Sequence, residues 1–219
     1  MSKEISDPAA VWSMSKVVFD GEISSTQDII LSQGRSALVS TVDEIDNLHE
    51  LVKEGPLVNA SMKSPEIAVT LSNLCYQAGL ASTILFEDGS QGHYESDTAH
   101  NLRMERIEYV RAFCSAEGIK PTVLKDREMR NSLTHIDERL ADALTEKDGV
   151  GWFIDVAVKD RSAFTLPEGV DEVRFCRSYI SQEDKILHLG QELDLQKLRW
   201  QCVAVLAVVF GVDYDGQFQ

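Results

Sequence analysis

The period of the apolar residues changes after Gly149-Val150-Gly151 and changes back before the last helix, and that pattern limits the folds open to this chain. Before the first change, apolar residues recur three and four positions apart, the spacing of a buried helix face. After it, "WFIDVAVK", "EVRFCRSYI" and "KILHLGQ" read as short strands, with "SQED" as a hairpin between the last two. Helical spacing returns in "DLQKLRWQCVAVLAVVF", which Asp194 can cap and whose buried face is Leu195, Leu198, Cys202, Val205, Leu206 and Val209. The expected fold is therefore mainly α: a helical bundle with a small antiparallel β meander, at about 152–190, inserted before the last helix.

The helices before the change are bounded by local signals. Residues 1–24 read as a loosely ordered arm, because Asp7-Pro8 and Gly21 break any continuous helix, and residues 25–219 read as a single domain. The first helix has N-cap candidates from Ser24 to Thr26, an apolar stripe through Leu38, Val42, Ile45, Leu48 and Val52, and a stop at Gly55-Pro56. The second opens at Ser64-Pro65, with proline where its missing N–H costs nothing. Glu87 to Ser96 is a glycine-marked loop, and a third helix runs from Asp97 to a stop at Gly118. Gly34 and Gly79 permit close helix crossing, and a fourth helix is expected over about Val123 to Thr145.

Composition narrows the function. Of 219 residues, 36 are acidic and 21 basic, for a formal net charge of -15. Broad nucleic-acid binders need a basic face, because phosphate neutralisation supplies most of their affinity. Any contact with nucleic acid is thus expected to be local and brief, or confined to a cleft where basic residues from two subunits meet, and no DNA partner is expected. Cys75, Cys114, Cys176 and Cys202 form no close pair and read as buried, reduced thiols of a cytoplasmic protein. "CVAVLAVVFGV" is too short to cross a membrane, which takes about 20 residues. GxxxxGK[ST], GxGxxG, HExxH and GxSxG are all absent, so the nucleotide, dinucleotide, zincin and α/β-hydrolase classes lose support and no cofactor is expected.

The fourth helix carries the most pointed chemistry. On a helical wheel Met129, Leu133, Ile136, Leu140, Ala143 and Leu144 share one side. Arg127, Arg130, Asn131, Thr134, His135, Glu138, Arg139 and Asp142 share the other, with Asn131 and His135 one turn apart. A histidine titrating near neutrality serves as general acid or base. An arginine holds phosphate or a developing oxyanion as a permanently charged fork. Together they suffice for RNA cleavage without a metal ion.

"RNSLTH", Arg130 to His135, resembles the signature of HEPN-domain proteins: arginine, a polar residue that is often asparagine, then histidine after four to six intervening residues. The resemblance covers the helical part, Ser25 to Leu144 and the last helix, and leaves the β region outside the minimal family pattern. It implies a helical homodimer whose two motifs face each other in a cleft. It also implies a metal-independent endoribonuclease of toxin–antitoxin or antiphage type, or an inactive binding module. On this resemblance Arg130, Asn131 and His135 are the catalytic residues, RNA is the substrate, and an antitoxin or other protein is a regulatory partner.

A plainer reading of the same helix stands beside it. His135 is then a surface histidine bonded to Glu138 or Asn131, and Arg130 and Arg139 pair with Asp126 and Asp142. Asp137 and Glu138 favour a charged imidazole but also repel phosphate. Elsewhere, His93, Asp97 and His100 offer a two-histidine, one-carboxylate set, but a solvated helix start accounts for them and no metal is expected. Arg103, Arg106 and Arg111 alternate with Glu105 and Glu108, either as a basic edge facing Arg130 or as a solvated charged face.

Overall fold

The first apolar stripe folds as one helix, α1, Ser25–Glu54. In the computed structural model the described residues are 25–54, 65–126, 150–163 and 172–214, with positions 128, 131, 141, 145 and 170 between them. The arm at 1–24 lies outside the described residues. Leu38, Val42, Ile45 and Leu48 of α1 are completely buried, as their spacing requires. They pack on α2, Pro65–Phe86, which buries Ile67, Leu71, Leu74 and Leu85 in return. The helices close tightly at Gly34, where an added Cβ would stand 2.6 Å from Leu85 Cδ2 and 3.0 Å from Ile84 Cγ2.

Helix α3, Asp97–Ala116, begins and ends on the expected signals. Ser96 Oγ accepts the Ala99 N–H at 3.2 Å as its N-cap. Gly118 takes φ +70 past its end. There the Gly118 N–H reaches Ser115 O and the Ile119 N–H reaches Cys114 O, the paired bonds of a Schellman stop. Helix α4, Leu195–Phe210, is capped by Asp194, whose carboxylate accepts the Lys197 N–H at 2.8 Å. It completes the core against α1 and α3 with all six of the residues expected on its buried face. No helix among the described residues is long and apolar enough to cross a membrane.

The strands precede α4 but do not form the simple antiparallel meander that the sequence suggests. Strand β1 (Val150–Ile154) runs parallel to β3 (Glu172–Cys176). Strand β2 (Ala157–Val158) runs parallel to β4 (Ser178–Ile180). Only β4, β5 (Lys185–His188) and β6 (Gln191–Asp194) pair antiparallel, with "SQED" as the first turn and Leu189-Gly190 as the second. The physical reason is that β1 and β2 each pair with a strand that follows residues 159–171, and a parallel pair cannot be joined by a tight hairpin turn.

"EVRFCRSYI", expected as one strand, is broken at Arg177, which takes φ 50. Asp155, directly opposite in the same parallel register, takes φ 55 and breaks the partner strand at the same level. The two side chains meet in a two-pronged ion pair at 2.6 and 2.8 Å, and Arg177 Nη1 also donates to Ser72 Oγ of α2 at 3.1 Å. The pair thus holds the bend of both strands and fastens it to the helices. Ala157, Tyr179, Ile186 and Leu193 join the main helical core, so the β region belongs to the same packing unit.

Candidate functional site

Arg130 and His135 lie outside the described residues, as do Asp137, Glu138, Arg139 and the rest of "RNSLTH" except Asn131. Asn131 is helical and half-buried, whereas Glu128, Ala141 and Thr145, also helical, are exposed. The described approach to this segment is tightly built. Residues 122–125 form a turn rather than the first residues of a helix. Gln201 of α4, fully buried, causes the difference: its Oε1 accepts the amides of Val123 and Leu124 at 2.9 and 3.2 Å. Its Nε2 donates to Thr122 Oγ1 at 3.0 Å, and Ser82 Oγ of α2 donates to the Leu124 carbonyl at 2.6 Å. Two helices from distant parts of the chain therefore fix where the motif-bearing segment starts.

A second set of acid–base groups, which spacing along the chain does not reveal, gathers where α1 meets the β4–β5 turn. His49 Nε2 lies 2.7 Å from Asp184 Oδ1, and the Tyr179 hydroxyl donates to the same oxygen at 2.9 Å. His49 and Asp184 are about 30% exposed at the side chain, so the pair is open to solvent on one side. The bond to Asp184 raises the His49 pKa against the opposing effect of burial. Burial works against the Asp184 charge, but the bonds from His49 and Tyr179 outweigh it and hold its carboxyl below the usual range. Burial, followed by the Asp184 charge, pushes the Tyr179 phenol up. The arrangement is a carboxylate-oriented imidazole, competent to carry a proton near neutrality. His49 and Asp184 are 135 residues apart. The one available signal was that His49 flanks the apolar stripe between Ile45 and Val52.

The other candidates have structural duties. Arg103 forks Glu95 at 2.8 Å through both Nε and Nη2 and donates to the Glu87 and Gly89 carbonyls, pinning the 87–96 loop. The Arg103 bond, with the Gly92 amide, pulls the Glu95 carboxyl down to about 2. Arg106 is buried and donates to the Ile84 carbonyl, and Arg111 pairs with Asp88 at 2.8 Å. The three arginines thus hold the α2–α3 junction rather than forming a free basic edge. His100 contacts Arg103 and Glu95, while His93 packs edge-on against Tyr94. Among the described residues no group of three His, Cys, Asp or Glu side chains is placed to hold a metal ion.

All four cysteines are buried, and burial raises the thiols of Cys75 to about 12 and Cys114 and Cys176 to about 11, which leaves them protonated and unreactive at neutral pH. Compared with family models, curated proteins and solved structures, the chain matches none.

Proposed function

We propose that the protein is a metal-independent endoribonuclease of HEPN type that acts as a cytoplasmic homodimer. The observation that carries this reading is the Arg130-Asn131-x(3)-His135 spacing in a mainly helical chain, on a segment whose described positions, Asn131 among them, are helical. In this reading Arg130 binds the scissile phosphate and neutralises charge that develops on it. His135 takes the 2′-hydroxyl proton or returns one to the leaving 5′-oxygen, and Asn131 orients the imidazole or the phosphate. The 2′-oxygen attacks phosphorus, and the products carry 2′,3′-cyclic phosphate and 5′-hydroxyl ends. The acidic surface suits an enzyme held in check by an antitoxin or a defence trigger better than one bound constantly to RNA.

The test is incubation of the purified chain with transfer and messenger RNA in EDTA, beside His135→Ala. Wild-type cleavage with cyclic phosphate ends, lost in a variant of unchanged circular dichroism and melting temperature, is the expected result. A non-catalytic interaction module is the second reading. Val69 and Tyr76, seven residues apart on α2 and 58% and 61% exposed, favour it because they put two large apolar side chains on one open helix face. For that reading, Tyr76→Glu would abolish association with a partner while His135→Ala would have no effect on RNA.

A further inference from the structure

A pocket of about 290 Å³ opens where the end of α2, the last turns of α3 and the turn at 119–125 meet. Its floor is apolar. Phe86, Ile107 and Cys114 are buried there, and Ile119 packs against the main core beside them. The Cys114 thiol stays neutral, so it adds to the apolar surface rather than to any chemistry. The rim has the opposite character: Arg111, Lys120 and Lys125 line the opening, and among the described residues no carboxylate does.

Arg111 also pairs with Asp88 at 2.8 Å, which leaves Lys120 and Lys125 as the distinctive cations of the rim. With 36 acidic against 21 basic residues, several cations elsewhere find carboxylates: Arg103 with Glu95, Arg161 with Glu183, Arg177 with Asp155, Arg199 with Asp46 and Lys185 with Glu192. Lys120 and Lys125 are exposed, and no ion pair joins either to a described carboxylate. An apolar floor beneath a cationic rim matches an amphipathic anion, with the body desolvated and the charged head left at the mouth. The size, near the lower end of the roughly 300–1,000 Å³ common for ligand pockets, suits a small molecule rather than a polymer.

We infer that this pocket binds a small amphipathic anion, an apolar body ending in a carboxylate or phosphate, held by Lys120 and Lys125 beside the Arg111–Asp88 pair. The inference does not rest on the ribonuclease reading: every described residue that lines the pocket belongs to α2, α3 or the turn at 119–125, and that reading gives none of them a role.

The purified full chain is titrated with octanoate, octyl phosphate and octylamine in parallel, followed by calorimetry and by amide chemical shifts. The expected result is saturable binding of octanoate or octyl phosphate, with shifts centred on Ile107, Cys114 and Ile119, and no binding of octylamine. The stronger of the two anions identifies the head group. Lys120→Ala with Lys125→Ala weakens that binding about tenfold at low ionic strength, and added salt weakens the wild type toward the variant. Ser115→Phe, placed at an exposed helix position that lines the pocket, abolishes binding by filling it. Unchanged circular dichroism of both variants excludes unfolding as the cause. Failure of both anions to bind, equal binding of octylamine, or wild-type affinity in the double lysine variant would each overturn the assignment.

Discussion

Raising the pH through the folded-state pKa of His49 removes its charge and leaves Asp184 ionised. Because the folded state raises the His49 pKa, its contribution to stability is complete below the unfolded value of about 6.5 and is lost as pH rises through the folded value. Asp184 has the opposite sign: its lowered pKa stabilises above about 3.8, and that contribution is lost as pH falls through the folded value. The charged pair therefore helps most between about pH 4 and 6.5. His49→Gln keeps a neutral donor and removes the titration. Urea unfolding should show it less stable than wild type by about 1 kcal/mol at acid pH, after allowance for solvent screening, with the deficit shrinking toward pH 8.5. Equal deficits at both ends would show that the histidine acts by packing alone. Arg177 poses a sharper case, because its ion pair with Asp155 is under 20% exposed on each side. Arg177→Met strands a mostly buried carboxylate and should cost about 2–3 kcal/mol. Adding Asp155→Asn should recover part of that loss, since asparagine accepts the φ of 55 at this position and carries no charge.

At the scale of elements, the α1–α2 crossing closes tightly at Gly34. Gly34→Ala gains about 1 kcal/mol of helix propensity but drives a Cβ into Leu85, which is completely buried and has nowhere to turn. Overpacking costs about 1–3 kcal/mol, so thermal denaturation should show a net loss of up to about 2 kcal/mol. The helices were legible in the sequence because their signals are local: Pro65 at a start, Ser96 and Asp194 as caps, Gly118 as a stop, and stripes whose period needs no partner to be read. Strand pairing was not legible, because a parallel register is set by a crossover and by residues that meet only in space. Arg177 gives no sign in the sequence that it will bend opposite Asp155. Gln201 likewise stood in a helical run with nothing to mark it as the cap of Val123 and Leu124, and so the start of the fourth helix was misplaced. Of the candidate site, the residue types and spacing of "RNSLTH" were readable, whereas the His49–Asp184 contact was not.

At the scale of the whole molecule, net charge governs association. Two copies with a formal charge of -15 each repel one another, and added salt shortens the reach of that repulsion from roughly 30 Å at 0.01 M ionic strength to about 8 Å at 0.15 M. Sedimentation should therefore show the proposed homodimer strengthening as salt rises over this range. RNA binding should weaken over the same range, because phosphate contacts release counterions. A dimer that loosened with salt would instead be held by complementary charges, and the basic residues would have to face the partner.

The clamp at Gln201 also imposes an order in time. The turn that launches the motif-bearing segment cannot close on its buried amide partner until synthesis has passed a residue 77 positions further on. At about 5–20 residues per second, that is a delay of roughly 4–15 s on the ribosome. Through that interval the turn at 122–125 lacks the side chain that holds it, so a nascent chain does not yet hold the geometry of the finished protein. The buried bonds at Val123 and Leu124 are thus among the last that the growing chain can make.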